Sequence, residues 1–218
     1  MYNFFKWEFI SSVKLNNTLV SCLGFFIIVF LLSSSALSNK LMFKDFSYLI
    51  LWISALLSIL LTLDNIFKND LDNGFLDLYT ITTLNIEKII LVKMFVHWLT
   101  TGFPLTLTSL VLSLTIDLKL ETFFWLFFSL FFGTLSLTFI GTIASSITLG
   151  IKKGTVVLSI LVLPFYFPTL FFGEKILSLS IQNQNPAPSL ICLIGITLMC
   201  FIISPFVCSV ILKIHKKY

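Results

Sequence analysis

The chain has 218 residues, of which 57% are hydrophobic and only 11% are charged. Soluble domains carry about a quarter charged residues, so a soluble fold of this length is excluded because it could not bury so much apolar surface. The net charge of +4 is spread along the chain without a basic tract, which gives nucleic-acid binding no support.

Six apolar stretches approach or reach the roughly 20 residues that a membrane-spanning helix needs. In chain order they are Thr18 to Leu37, Phe46 to Leu63, Ile89 to Leu114, Phe123 to Ile147, Val156 to Phe172 and Leu190 to Leu212. Within them only Lys93 is a charged residue, and its long stem is expected to reach the membrane interface. The sequence therefore predicts an all-α polytopic membrane protein, with one transmembrane domain over residues 1–218.

The positions of the Lys residues predict the orientation in the membrane. If the N-terminus is cytoplasmic, ten Lys residues fall on the cytoplasmic side and four fall on the other side. Both termini are therefore expected to be cytoplasmic, which agrees with an even number of spans.

The longest predicted cytoplasmic connection is the segment 64–88, which contains four Asp residues and Glu87. Asn73-Gly74 is a turn signal. Beyond it, Phe75, Leu78 and Tyr79 follow the i, i+3, i+4 spacing of one helix face. We therefore predict a short amphipathic helix on the cytoplasmic side, between the second and third spans.

The charged residues that this predicted helix and the residues just before it present are acidic: Asp70, Asp72 and Asp77. Helices that bind the membrane surface usually present Lys or Arg to anionic lipids, so a protein partner fits this segment better. A solvated loop with an interfacial helix remains the alternative. Asn85 is predicted to cap the third span, with Glu87 in its first turn, where the helix dipole favours an anion.

Within the third span, His97 and Trp98 lie one to two turns from its start. An ionisable side chain in a span is a functional candidate, although a His beside a Trp near the interface also has an ordinary structural explanation. Pro104 is expected to kink this helix.

The fourth span carries small residues on two neighbouring rows: Thr134, Thr138, Thr142 and Ser146 on one, and Ser129, Gly133, Gly141 and Ser145 on the other. This spacing favours close helix packing, within the subunit or in a dimer, over a substrate path. In the fifth span, Pro164 and Pro168 are expected to bend the helix and Gly173 to end it. Bent helices of this kind occur in transporters and also in inert bundles.

The sequence lacks the residues that several kinds of chemistry require. The sequence has no Gly-x-x-x-x-Gly-Lys-Ser/Thr loop for a nucleotide. It has no Asp or Glu inside a predicted span for ion coupling. With His97 and His215 as its only histidines, a bis-histidine haem site is not expected. We predict that the chain is not an enzyme, binds no metal and holds no cofactor of its own.

Several segments between Asp64 and Gly173 together resemble the haem exporter protein B (CcmB) family. The first is Asp70 to Leu78, which is similar to the family's acidic-Asp-Gly-x-Leu-Glu segment. The others are His97-Trp98-Leu99-Thr100-Thr101-Gly102-Phe103-Pro104, Gly133-Thr134-Leu135-Ser136-Leu137, Lys152-Lys153-Gly154 and Leu163-Pro164-Phe165-Tyr166-Phe167-Pro168. Two departures are Asp77 in place of the usual Glu and Phe75 in place of a small residue.

The resemblance implies the transmembrane subunit of an ATP-binding-cassette exporter in cytochrome c biogenesis. ATP hydrolysis by a partner would drive haem handling and the release of a haem-loaded chaperone. The implied partners are the ATPase CcmA, the membrane proteins CcmC and CcmD, and the chaperone CcmE, with haem as cargo, ATP in the partner, and a homodimer as one arrangement of the complex. The implied ATPase-coupling residues are Asp70, Asp72, Gly74, Phe75, Leu76, Asp77, Leu78 and Tyr79. The intramembrane candidates are His97, Trp98, Gly102, Pro104, Pro164 and Pro168.

The implied location is the bacterial inner membrane, or the mitochondrial inner membrane for an organelle-encoded chain. An exporter permease for another substrate, such as a lipid or a drug, is the alternative function because it would share this architecture. The cargo and the subunit stoichiometry are not determined by the sequence.

Overall fold

The computed structural model describes residues 2–15, 18–36, 40–76, 85–116, 118–151 and 154–215. All regular secondary structure in these ranges is helical. The helices are α1 (Tyr2–Leu15), α2 (Thr18–Ala36), α3 (Lys40–Thr62), α4 (Asn65–Asp72), α5 (Ile86–Thr100), α6 (Gly102–Ser113), α7 (Leu120–Ile147), α8 (Gly154–Ile181) and α9 (Ala187–His215), with a 3₁₀ turn at Leu114–Ile116.

Six helical stretches of the described chain are long and apolar enough to cross a membrane, which confirms the predicted all-α polytopic fold. They are Thr18–Ala36, Phe46–Asp72, Ile86–Ile116, Leu120–Ile147, Gly154–Ile181 and Ala187–Ile214. Helix α1 was not predicted, because its 14 residues are too short and too polar to resemble a span.

The expected end of the fifth span at Gly173 is wrong. Helix α8 continues through Pro164, Pro168 and Gly173 to Ile181. Gly173 is fully inside the bundle, where an added Cβ would lie 2.0 Å from Cζ2 of Trp52. This glycine therefore serves a close approach of two helices and does not end one.

Helix α7 lies at the centre of the bundle and contacts α3, α4, α5, α6, α8 and α9. The small residues predicted on its two rows are all buried. The ring of Trp52 from α3 lies between Gly133 of α7 and Gly173 of α8, since a Cβ on either glycine would approach that ring to 2.0 Å. The small residues of α7 thus provide close packing within the subunit, which is the structural reading that the sequence favoured.

Hydroxyl groups add interhelical hydrogen bonds to this packing. Ser129 donates to the carbonyl of Gly173 at 2.8 Å, and the hydroxyl of Tyr166 donates to the carbonyl of Leu137 at 2.8 Å. Ser204 of α9 donates to the carbonyl of Phe139 at 2.9 Å. In lipid, where no hydrophobic force draws helices together, such contacts and close packing stabilise the bundle.

The third span is broken at Thr101, between α5 and α6. Pro104 lies in the first turn of α6, where its missing N–H needs no partner. Where a kink at Pro104 was expected, the structure has one helix ending at Thr100 and a second beginning at Gly102.

Contacts at the helix ends define two ends of the bundle. At one end, the Thr155 hydroxyl that begins α8 donates to the carboxylate of Asp64, beside α4. At the other, Lys119 donates to the side-chain oxygen of Asn183 at 2.7 Å. We call the first the α4 end. Because successive spans run in opposite directions, α1 and the C-terminus of α9 also lie there.

Candidate functional site

Helix α4 directs its residues to two different surroundings. Ile66, Phe67 and Asp70 are buried, whereas Leu71 and Asp72 are exposed at the tip of the bundle. The next two residues, Asn73 and Gly74, are also exposed. The longest run of exposed residues in the described part of the coupling segment is therefore 71–74, which we call the α4 tip.

The turn predicted at Asn73-Gly74 is confirmed. Gly74 has φ of +72°, a conformation that costs little only for glycine. Asn73 caps α4, and its side-chain amide donates to the carbonyl of Asn69 at 2.7 Å. The chain then resumes a helical conformation at Phe75 and Leu76. Three of the predicted coupling residues, Asp77, Leu78 and Tyr79, lie outside the described residues.

The sequence led us to expect Asp70 on the exposed surface together with Asp72, but the structure does not place it there. Its side chain is buried, and its Oδ2 atom lies 2.7 Å from Nζ of Lys93. Asp70 lies two positions before Asp72, and on a helix this separation places the two side chains on different faces.

Lys93 does not extend to the membrane interface either, contrary to our expectation. The residue is only 3% exposed, and its ammonium group also donates to Oε1 of Glu8 at 2.6 Å. A buried charge is strongly unfavourable unless it is paired. Two carboxylates from α1 and α4 therefore replace water around the ammonium group of Lys93.

Glu8 is the residue of this site that sequence reasoning missed. It belongs to the short helix α1, which has no transmembrane signature. The available signal was Lys93 itself, because a lone charge inside a span predicts an acidic partner elsewhere in the chain. Burial raises the pKa of the Glu8 carboxyl, and the nearby Lys93 ammonium opposes that shift.

A cavity of about 300 Å³ opens beside these three charged residues. Most of the residues that line it are polar, and they come from α1, α2, α4 with the turn after it, and α5: Trp7, Glu8, Ser11, Ser12, Thr18, Asn65, Ile66, Asn69, Asp70, Asn73, Phe75, Lys93, His97 and Thr100. Trp7 closes one side through an edge contact with Phe75, with ring centroids 5.7 Å apart. The coupling segment and the N-terminal helix thus share one polar cavity.

His97 lies at the inner wall of this cavity and is 7% exposed. Its Nε2 atom is 3.5 Å from the hydroxyl of Thr62, at the end of α3. It is therefore buried between helices, at the wall of the cavity nearest the bundle centre.

Trp98 and Gly102 form a packed unit with α7. The indole N–H of Trp98 donates to the hydroxyl of Thr134 at 3.0 Å. A Cβ on Gly102 would lie 2.5 Å from Cδ1 of Trp98 and 3.1 Å from Cβ of Thr134. These two candidates therefore fix α5 and α6 against the central helix, just after the break at Thr101.

Pro164 and Pro168 do not line the cavity. Both are exposed on the outer surface of α8, beside the exposed rings of Phe165 and Phe167. The intervening Tyr166 is fully buried. The structure thus places these prolines on a surface that faces lipid or another subunit, apart from His97 and Trp98.

A second groove, of about 320 Å³, lies on the other side of α4. It is lined by Asp64, Lys68, Leu71, Asp72, Ser145, Thr148, Leu149, Gly150, Ile151, Gly154 and Thr155. The α4 tip is therefore flanked by a groove that reaches α7 and α8. In the part of the chain that the structure describes, no three His, Cys, Asp or Glu side chains gather as a metal site.

Comparison with known proteins gives one consistent result. The profile of the family described as CcmB protein matches residues 1–215. Among similar proteins, the heme exporter protein B of Paracoccus denitrificans is 39% identical over 168 residues, or 77% of each chain. The proteins of the same name from Rhodobacter capsulatus and Escherichia coli K12 are 33% and 40% identical, over 77% and 76% of this chain and 77% and 75% of their own lengths.

Proposed function

Because the chain belongs to the CcmB protein family, we propose that the α4 tip, residues 71–74, is where a separate ATPase subunit docks. The chain itself is the transmembrane subunit of a haem exporter that acts in cytochrome c maturation. A lipid or drug as cargo is not favoured, because the related proteins carry the name heme exporter protein B.

The exposure of the α4 tip is the observation that carries this proposal. Asp72 and Gly74 lie at the surface, whereas most of α4 behind them is packed against α5 and α7. A partner that moved the α4 tip would therefore also move the start of the third span and the end of the fourth. Closure of the partner ATPase on ATP would in this way shift the packed helices between two arrangements.

The contacts of Asp64 extend this connection to a further span. Asp64 accepts a hydrogen bond from Thr155 at the start of α8. The groove beside α4 also joins its exposed face to Leu149 and Gly150. Movement of α4 would thus reach the fourth and fifth spans as well as the third.

The partners and the location follow from the family resemblance. The ATPase is proposed to be CcmA, with CcmC and CcmD as membrane partners and CcmE as the haem chaperone. A homodimer within that complex is also consistent with the chain. The α4 end then faces the cytoplasm and the membrane is the bacterial inner membrane, or its mitochondrial counterpart. In this arrangement ATP binds to the partner, and haem is handled by the complex.

Two substitutions at the α4 tip test the docking role. Asp72→Lys reverses an exposed charge, and Gly74→Pro imposes φ near −65° where the turn needs +72°. We expect both variants to insert into the membrane but to lose the ATPase during co-purification in detergent, by about tenfold or more for Asp72→Lys.

Glu121→Lys is the matched control, because Glu121 is an exposed acid in the first turn of α7, at the opposite end of the bundle. This variant should retain the ATPase. Full retention of the ATPase by both α4 tip variants would contradict the docking role.

A further inference from the structure

Lys93 is the one point at which charged groups from three helices meet at the α4 end of the described chain. It lies on α5, and its ammonium group contacts Glu8 of α1 at 2.6 Å and Asp70 of α4 at 2.7 Å. The side chains of Lys93, Asp70 and Glu8 are 2%, 7% and 12% exposed. We call these three residues the charge triad.

Burial makes the charge triad a strong constraint on the positions of the helices. Removing one member of a buried ion pair leaves an uncompensated charge, which is far more unfavourable than losing an exposed pair. Lys93 therefore cannot move away from both carboxylates unless water replaces them. Helices α1 and α4 must stay in register with α5, and so with each other.

The packing around the charge triad also holds α1 and α4 against α5. Helix α1 packs chiefly on α5, and α4 packs on α5 and α7, so Lys93 lies on the helix that both share. The edge contact between Trp7 of α1 and Phe75, just after the α4 tip, is a second connection between the same two segments. The N-terminal helix and the coupling segment are thus joined by one ionic and one aromatic contact.

We propose that Lys93 is a positioning residue that ties the N-terminal helix α1 to α4, so that a displacement of α4 carries α1 with it. The tie itself depends only on the charge triad. The displacement of α4 rests on the proposed function, because the partner ATPase supplies it.

Glu8→Gln tests the tie with little risk to folding, because the pair between Lys93 and Asp70 remains. Amide hydrogen exchange of the full-length chain in detergent is the measurement. We expect exchange in Tyr2–Leu15 to become about tenfold faster, as for the loss of one charged hydrogen bond, with exchange in Asn65–Asp72 unchanged. Unchanged exchange in α1 would overturn the tie.

Glu87→Gln is the matched control. Glu87 is on the same helix as Lys93 but is exposed in its first turn. This variant should leave exchange in α1 at the wild-type level. Equal acceleration by Glu8→Gln and Glu87→Gln would show a general charge effect and would also overturn the tie.

Exchanging the charges of Lys93 and Glu8 tests whether their contact is specific. Lys93→Glu alone places a third carboxylate beside Glu8 and Asp70, so we expect a large loss of folded protein. Adding Glu8→Lys restores one ammonium between two carboxylates, and we expect protection of α1 to recover. If the double variant is no better folded than Lys93→Glu, the contact is not the basis of the effect.

The complex with the ATPase tests the transmission of movement. In the wild-type complex, addition of ATP should change exchange in both α4 and α1. In Glu8→Gln the ATPase should still co-purify and α4 should still respond, but the response of α1 should fall at least severalfold. A full ATP response of α1 in Glu8→Gln would overturn the transmission.

These measurements also separate this inference from the docking proposal. Failure of the ATPase to co-purify with the wild-type chain would overturn docking and transmission together. It would leave the exchange results on the isolated chain, and therefore the tie through Lys93, as they stand.

Discussion

Single residues at close helix crossings decide how this bundle packs. Trp52 is fully buried between two glycines, one from each neighbouring helix. Trp98 is held in the same way by Gly102 and by its hydrogen bond to Thr134. The two tryptophans therefore act as fixed contacts at neighbouring positions of α7, and the space for each depends on a residue without a side chain.

Gly173→Ala tests this packing at one atom. The added Cβ would lie 2.0 Å from the Trp52 ring, so either the ring or α8 must shift. We expect a loss of about 1–3 kcal/mol of stability, as for other overpacked cores. The measurement is the temperature at which the detergent-solubilised chain loses its monodisperse peak on size exclusion.

Gly195→Ala is the control for that measurement. Gly195 also lies within a helix, but a Cβ there would meet nothing within 4 Å. Ala is intrinsically more favourable than Gly inside a helix, so this variant should be as stable as wild type or more stable. A similar loss in both variants would mean that contact with Trp52 is not the cause.

At the level of whole helices, prolines have two different effects in this chain. Pro104 coincides with a break, because it lies in the first turn of α6 after Thr101. Pro164 and Pro168 lie inside α8, which continues through both. In lipid, a helix tolerates an internal proline when neighbouring groups compensate for the lost backbone hydrogen bond. The position of the proline relative to the helix start therefore decides the outcome.

Pro164→Ala is expected to separate stability from transport. The alanine N–H can bond to the carbonyl one turn earlier, so the variant should fold and gain about 1–3 kcal/mol of stability. We expect maturation of c-type cytochromes in cells to fall, because the bend that Pro164 is expected to impose on the helix would be lost. Leu163→Ala, at a neighbour that is also exposed, should leave maturation unchanged. Wild-type maturation in Pro164→Ala would contradict the prediction.

At the scale of the whole molecule, the bundle has two chemically different ends. The α4 end holds the charge triad, the polar cavity and the α4 tip. The opposite end has a hydrogen bond between Lys119 and Asn183. Both grooves beside α4 and the buried charge triad therefore lie at one end of the bundle, the end where we propose that the ATPase docks.

Cysteine labelling tests the proposed orientation. In a variant whose four native cysteines are replaced, Asn183→Cys and Asp72→Cys mark opposite ends, and both positions are exposed. A membrane-impermeant maleimide added to intact spheroplasts should label Asn183→Cys at once. It should label Asp72→Cys only after the membrane is permeabilised, and the reverse pattern would contradict docking of a cytoplasmic ATPase.

The sequence by itself determined the class of protein, the six spans, the turn at Gly74 and the interruption near Pro104. Each of these depends on local properties: the length of an apolar run, or the backbone angles open to Gly and Pro. The family resemblance was also readable from short segments, because those segments keep their order and spacing.

Only the tertiary structure decided how the charged and small residues are used. Glu8 and Lys93 are 85 positions apart, so no periodicity could join them. The inward direction of Asp70 likewise goes with its own contact to Lys93. In the sequence Gly173 resembles a helix end, and only its close approach to Trp52 shows its packing role. Such pairings depend on which helices pack together, and helix packing is a property of the whole bundle because every contact on α7 constrains the others.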